Sequence, residues 1–241
     1  MRHILKLGLT AFLLSGTALT AQEMTAEEVK RLALEAILEN PQVIMEAVAI
    51  LQERDEQAAS QDAARVLSEQ RVMLEQDPNA PVLGNPEGDV TVVEFFDYNC
   101  PYCKQVSPEV EALIAADSDV RVVFREWPIL SDGSVFAARA ALASREQDLY
   151  PEFHLEMMRM RGRAEEVSVM AAAEKIGLDL EQLRADMEAP EVTDHIEISM
   201  NLARLLGFNG TPSFVIGDSM VPGMVPLEEL QRLVAEARGG Q

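Results

Sequence analysis

The stretch Phe95-Phe96-Asp97-Tyr98-Asn99-Cys100-Pro101-Tyr102-Cys103-Lys104 constrains this chain more than any other. Cys100 and Cys103 are the only 2 cysteines in 241 residues, so neither thiol has another partner within the chain. The apolar, β-branched run Val90 to Phe96 leads into the pair, and Val106, Val110, Leu113 and Ile114 follow at helical spacing, which reads as strand, turn and helix. With Cys100 at the helix start, its thiolate faces unpaired N–H groups and the positive end of the helix dipole, and its pKa falls. Cys103 lies one turn further in, within reach of a mixed disulfide at Cys100. This pattern predicts a redox dithiol. Two other uses of such a pair are half of a zinc site and a permanent structural disulfide. Zinc normally takes four Cys or His ligands, whereas the chain offers 2 cysteines and 3 histidines, one of them close to the amino terminus. A disulfide closing so short a loop restrains little chain entropy. Neither a metal site nor a cofactor is expected.

Around the dithiol the pattern is α/β. Val120 to Phe124 is the next strand, and strand, helix, strand makes a parallel unit with a right-handed crossover. The dithiol then lies at the carboxyl end of the first strand, where open α/β sheets place their chemistry. Glu94 interrupts that strand six residues before Cys100. A carboxylate on a central strand is costly unless paired or protonated, so Glu94 is read as a proton acceptor for Cys103, the alternative being a sheet edge where it reaches solvent. Residues 133–207 read as almost wholly helical, with Asp132-Gly133-Ser134 and Asp179 as caps and Gly207 as the last stop. This insertion is expected to cover the dithiol side of the sheet. It carries His154, Met157 and Met158 on one face, with Met160 nearby. Such a set reads either as soft-metal ligands or as core filler. Asn209-Gly210-Thr211-Pro212-Ser213 precedes the strand Phe214 to Ile216. A cis Pro212 beside the dithiol would leave the Thr211 backbone free to pair with an extended peptide; an ordinary loop proline is the other reading. Gly217-Asp218 turns into a short strand at Met220-Val221, and Leu227 to Ala237 is an amphipathic helix.

The amino-terminal third is different. Arg2 and Lys6 precede an apolar run from Leu7 to Leu19, too short to span a bilayer comfortably but suited to a secretory signal peptide over residues 1–21. An uncleaved anchor is the alternative, and both place the dithiol outside the cytoplasm, where disulfides persist. Residues 22–51 read as two short amphipathic helices separated at Asn40-Pro41, too short to be stable alone. Residues 52–80 read as a polar helical linker, with the domain boundary near Asp77-Pro78. The amphipathic piece can pack back on the domain or on copies of itself; self-association is the expectation, since a linker otherwise has little purpose. With 20 basic residues against 41 acidic the net charge is −21, which opposes binding to a phosphate backbone, and nucleic acid is not an expected partner.

Glu94-Phe95-Phe96, Cys100-Pro101-Tyr102-Cys103, the helical insertion and Gly210-Thr211-Pro212 together resemble the DsbA-like branch of the thioredoxin superfamily over about Val82 to Arg238. That resemblance implies a thioredoxin fold with an inserted helical subdomain over residues 81–238. It also implies Cys100 as attacking thiol, Cys103 as resolving thiol and Glu94 as buried acid, with Pro101, Tyr102, Thr211 and Pro212 facing substrate. DsbA enzymes proper commonly carry His where Tyr102 stands. Tyrosine offers the thiolate no positive charge, so a less acidic Cys100 and a weaker oxidant than DsbA are expected. Residues 25–51, with Leu38-Glu39-Asn40-Pro41-Gln42-Val43, resemble the amino-terminal segment of the ScsC and Com1-like proteins, relatives that can self-associate through it.

The resulting expectation is a periplasmic thiol–disulfide oxidoreductase that forms, reduces or isomerises disulfides of unfolded or misoxidised secreted proteins. It would be recharged by a membrane redox partner and homo-oligomeric through residues 22–51. The reading from a different class is a copper-handling or holdase protein, in which the dithiol and nearby methionines bind Cu(I).

Overall fold

The structure, a computed structural model, describes residues 24–240; the expected signal peptide over 1–21 lies outside them. The chain divides into two compact units, one ending at Glu56 and the other beginning at Gln57. In the first, helix α1 (Ala26–Glu39) opens on a capping box: Thr25 Oγ1 accepts from the Glu28 N–H at 3.3 Å and the Glu28 carboxylate accepts from the Thr25 N–H at 2.9 Å. Asn40-Pro41 ends it, because proline cannot continue the hydrogen-bond ladder, and α2 (Gln42–Gln76) begins with the Val43 N–H on the Asn40 carbonyl at 3.1 Å.

The second expected helix and the polar linker are thus one helix of 35 residues, and the unit boundary falls inside it rather than near Asp77. Beyond Gln57 its sparse apolar positions form a stripe that is sufficient for packing, and Val66, Leu67 and Leu74 are buried in the second unit. A helix that is polar over most of its surface still enters a core when three or four such side chains share one face.

The sheet has strand order β1-β3-β2-β4-β5, with β1 (Val82–Gly84), β2 (Val90–Phe96), β3 (Val120–Glu126), β4 (Ser213–Ile216) and β5 (Ser219–Pro222). β2 and β3 are parallel, joined by α3 (Pro101–Ala116); the other pairs are antiparallel. β1, in a segment whose prolines and glycines read as turns, adds a three-residue edge pairing Val82 with Val123. Gly217, at φ +57°, makes the tight turn from β4 to β5.

Period-two alternation sorts the central strands into two faces. Val92 and Phe96 of β2 and Val122 and Phe124 of β3 join one core with α3 and the final helix α9 (Leu227–Gly239); Val93, Phe95 and Val123 join the other with Leu67 and Leu74 of α2. The insertion comprises α4 (Asp132–Ala143), a 3-10 turn (Ser144–Gln147), α5 (Tyr150–Arg159), α6 (Glu166–Ile176), α7 (Leu180–Asp186) and α8 (Pro190–Leu205). Its first four α-helices contribute to the dithiol-side core as expected. α8 does not: Leu202 and Ala203 pack on the opposite face with Phe95 and Trp127, because its apolar stripe completes the core left open beside α2. The cap of α4 is Ser131, one residue before the expected trio, its Oγ accepting from the Ser134 N–H at 3.2 Å. Asp179 caps α7 as expected.

Beneath the opposite face lies a buried ion pair. Arg125 of β3 donates to Asp77 Oδ2 at 2.6 Å, to the Leu74 carbonyl at 3.0 Å and to the Met73 carbonyl, so it also satisfies the last carbonyls of α2. Burial works against the Asp77 carboxylate, but His195, the Asn79 N–H and Arg125 hold its pKa well below the usual range. Among the described residues no helix is long and apolar enough to cross a membrane.

Candidate active site

The turn Asp97 to Asn99 carries the chain from β2 into α3 and is held from several sides. Asp97 accepts from the Asn99 N–H at 2.7 Å through one oxygen and from the Ile129 and Leu130 N–H groups at 2.9 and 3.0 Å through the other. Asn99 exchanges two hydrogen bonds with Ala164, donating to its carbonyl at 3.0 Å and accepting from its N–H at 2.7 Å. Lys104, one residue past the dithiol, donates to the Met160 and Gly162 carbonyls at 2.9 and 3.0 Å. The loop joining α5 to α6 is therefore fastened on both sides of the cysteines.

Cys100 is the N-cap of α3, and Pro101 takes the first helical position, where its missing N–H costs nothing. Both thiols are free and buried. The Cys100 thiol donates to the Thr211 carbonyl at 3.1 Å, and the Thr211–Pro212 peptide is cis. Structure thus brings the Thr-Pro loop against the thiol, as the sequence pattern predicts. Pro101 and Tyr102 are exposed beside it.

The electrostatics divide the two sulfurs. The Cys103 thiol donates to the Cys100 sulfur; the Thr211 side chain and the N–H groups of Cys103 and Tyr102 add to this, and against the pull of burial they lower Cys100 from 9.0 to about 6. Burial, the hydrogen bond to Cys100 and the Glu94 charge push Cys103 far upward. One thiol is poised as a thiolate near neutral pH, and the other needs a base to act.

Glu94 lies on the dithiol face of β2, between Phe124 of β3 and Phe214 of β4, and is not at a sheet edge. It is buried, its Oε1 has no hydrogen-bond partner, and burial followed by the nearby Cys100 charge raises its pKa to about 8. A protonated carboxyl that ionises near neutral pH has the tuning of an acid–base group. His154 and Met158 line the same small cavity as Glu94. Met157 and Met158 are core side chains, and His154 meets the Tyr98 hydroxyl through Nδ1 at 3.0 Å. The stripe that reads as soft-metal ligands is therefore packed inside the protein.

Residues 91–235 match the family model described as DSBA-like thioredoxin domain. The chain belongs to this family. Members of the DsbA-like family are thiol–disulfide oxidoreductases of thioredoxin fold, and the dithiol, the cis-proline loop and the helical insertion of this chain are the features that place it there. Residues 27–58 match a second model, described as Copper resistance protein ScsC N-terminal domain, which covers most of the first unit. A thioredoxin-like oxidoreductase from Silicibacter pomeroyi superposes with TM-score 0.70 at 62% identity, covering 70% of this chain and 98% of that one. A linker-deletion mutant of Proteus mirabilis ScsC superposes with TM-score 0.67 at 26% identity, over 94% of this chain and 100% of that one. The Na(+)/H(+) antiporter NhaA 1 of Salinispora arenicola is 30% identical over 70% of this chain, which spans 26% of that relative's length.

Sequence reasoning stopped β3 at Phe124 and so missed Arg125 and Glu126, both buried. The signal was present: continuing the alternation of Val122 and Phe124 by two places puts Glu126 on the dithiol face.

Proposed function

We propose that this DsbA-like protein works in the periplasm on disulfides of unfolded or misoxidised secreted proteins, in the reducing or isomerising direction. The observation that carries this is the asymmetry of the dithiol: Cys100 lowered to about 6 at a helix N-terminus and 3.1 Å from the Thr211 carbonyl, with Cys103 buried behind it. The Cys100 thiolate attacks one sulfur of a substrate disulfide and the other leaves as a thiolate, giving a mixed disulfide. Release follows when Cys103, losing its proton to the Glu94 carboxylate, attacks the Cys100 sulfur; the dithiol is oxidised to a disulfide and the substrate sulfur departs reduced. Isomerisation results when a second substrate thiolate displaces Cys100 first, and a membrane redox partner of the periplasm supplies electrons to restore the dithiol. Extended substrate runs along the Thr211-Pro212 loop, with Pro101 and Tyr102 at its rim. Tyr102 offers the Cys100 thiolate no positive charge, which supports a thiolate less stabilised than in a strong oxidant.

The apolar side chains of the first unit, including Val29, Leu32, Ile37, Ile44 and Val48, are exposed, which supports self-association of the chain through residues 24–51. Several dithiols on one assembly raise the local thiol concentration at a bound substrate, which suits reshuffling. The secretory leader expected from the sequence over residues 1–21 accords with the periplasmic reading.

The test is a trapping experiment with Cys103→Ser in the mature chain. Incubated with a disulfide-bonded peptide, it should accumulate a mixed disulfide at Cys100, whereas Cys100→Ser should accumulate none. No adduct with either variant, or an adduct only at Cys103, overturns the assignment.

A further inference from the structure

Glu126, the last residue of β3, pairs with Phe96 across the strands and shares the dithiol face with Glu94. Its side chain is buried, and Oε1 accepts from two phenols, Tyr98 at 3.0 Å and Tyr150 at 3.1 Å. Nδ1 of His154 lies 3.0 Å from the same Tyr98 oxygen, within hydrogen-bond reach. The Tyr98 ring is wedged edge-on against Phe96, centroids 5.1 Å apart, and against His154 at 5.6 Å. The titratable groups facing Glu126 are thus Tyr98 and Tyr150, with His154 beyond Tyr98 and with Asp97 and Glu94 close enough to disfavour its ionisation; burial does most to keep it a neutral acid.

A satisfied polar group in a core is common. This one differs in what it joins. Tyr98 belongs to the turn that delivers Cys100, two residues before the thiol; Tyr150 begins α5 of the insertion; and Glu126 closes the strand beside β2. The Asp97 N–H of the same turn reaches the Cys103 sulfur. We propose that Glu126 is a positioning residue for the dithiol: as the shared hydrogen-bond acceptor of Tyr98 and Tyr150, it ties the turn that carries Cys100 to the helical insertion. The role needs an acceptor oxygen and not a charge. An ionised carboxyl there would put a second negative charge near Glu94 and oppose the Cys100 thiolate. The proposal rests on Cys100 being the attacking thiol.

The experiment is a pH titration of the Cys100 thiolate by ultraviolet absorbance, with the peptide exchange rate measured alongside. It uses the reduced full chain and its Glu126→Gln, Glu126→Leu and Tyr98→Phe variants. Glutamine keeps an oxygen for both phenols and should leave the titration and the rate as in the parent. Leucine strands two buried hydroxyls, and phenylalanine removes the turn's own tether. Both should cut the ratio of thiolate to thiol roughly threefold, about half a pKa step, so that the thiolate fraction at the parent midpoint falls about twofold, with a matching loss of rate. Should the leucine variant not fold, Tyr98→Phe and Glu126→Gln carry the comparison. A Tyr98→Phe titration identical to the parent overturns the proposal whatever its thermal stability, as does a Glu126→Gln variant as impaired as Glu126→Leu. A parent chain whose Cys100 shows no lowered titration at all would instead remove the reading of Cys100 on which the proposal stands.

Discussion

Leu67 and Leu74, near the end of α2, are 2% and 0% exposed, whereas Leu38, Ile44 and Leu51 of the first unit are 70%, 51% and 57% exposed. Ile44, Leu51, Leu67 and Leu74 lie on the one helix α2, and what separates them is that its later part meets a complementary surface in the second unit. From Gln57 onward the apolar stripe meets β2, β3 and α8, and the polar side chains left beneath it are paired, as in Arg125 with Asp77. In the first unit no residue of α1 is buried, and the helix is held locally by its capping box and by the ion pairs Lys30–Glu27 and Arg31–Glu35. Every residue proposed for the redox chemistry lies in the second unit, while the first presents exposed apolar side chains.

The sharpest way to break that comparison is to separate the two regions. Cys100→Ser should reduce thiol–disulfide exchange to background, while removal of residues 24–56 should leave single-turnover exchange at Cys100 essentially intact and lower the sedimentation mass to that of a monomer. Loss of exchange on removing the segment would show that the site is not complete without it; an unchanged number of subunits per particle would end the self-association reading.

Core substitutions should separate the regions next. Leu67→Ala or Leu74→Ala should cost about 2–5 kcal/mol in denaturant unfolding, as deletion of a buried leucine generally does. Ile44→Ala and Val48→Ala should leave the unfolding midpoint of the second unit unmoved and weaken association. Equal destabilisation by both sets would mean that the first unit also shares the catalytic unit's core.

A smaller effect is expected at Glu94, from linkage. Burial raises its folded pKa from 4.5 to about 8, so the folded state retains a proton that the unfolded chain gives up. The stability tied to this group is complete below pH 4.5 and declines as pH rises, levelling off above about 8. Glu94→Gln should therefore gain stability near neutral pH, by at most about 3 kcal/mol on the conversion of 1.36 kcal/mol per unit, and flatten the pH dependence, while resolution of the mixed disulfide slows. A variant that resolves as fast as the parent would remove Glu94 from the proton-transfer role.

The legible parts of this chain were those in which one local pattern decides the outcome. β2 runs from Val90 to Phe96, where its β-branched and aromatic run, interrupted at Glu94, puts it, and Cys100 caps α3 because proline follows it. The Thr211-Pro212 loop reaches Cys100 where the resemblance places it. The parts that were not legible depend on partners distant in sequence. β1 is three residues in a turn-rich stretch and exists because Val123 offers it an edge. Arg125 and Glu126 look like the polar end of a strand, yet Asp77, Tyr98 and Tyr150 make both of them interior. Likewise α2 looks like a linker until α8 and the sheet supply a groove for Leu67 and Leu74.

The most direct measurement is the reduction potential of the Cys100–Cys103 pair, with the full chain equilibrated against glutathione. A reversible equilibrium at ~−180 mV or lower is expected, since Tyr102 gives the thiolate no cationic neighbour. A value near ~−120 mV, that of DsbA, would contradict the reducing or isomerising assignment, and failure to reach any reversible equilibrium would contradict the redox pair itself.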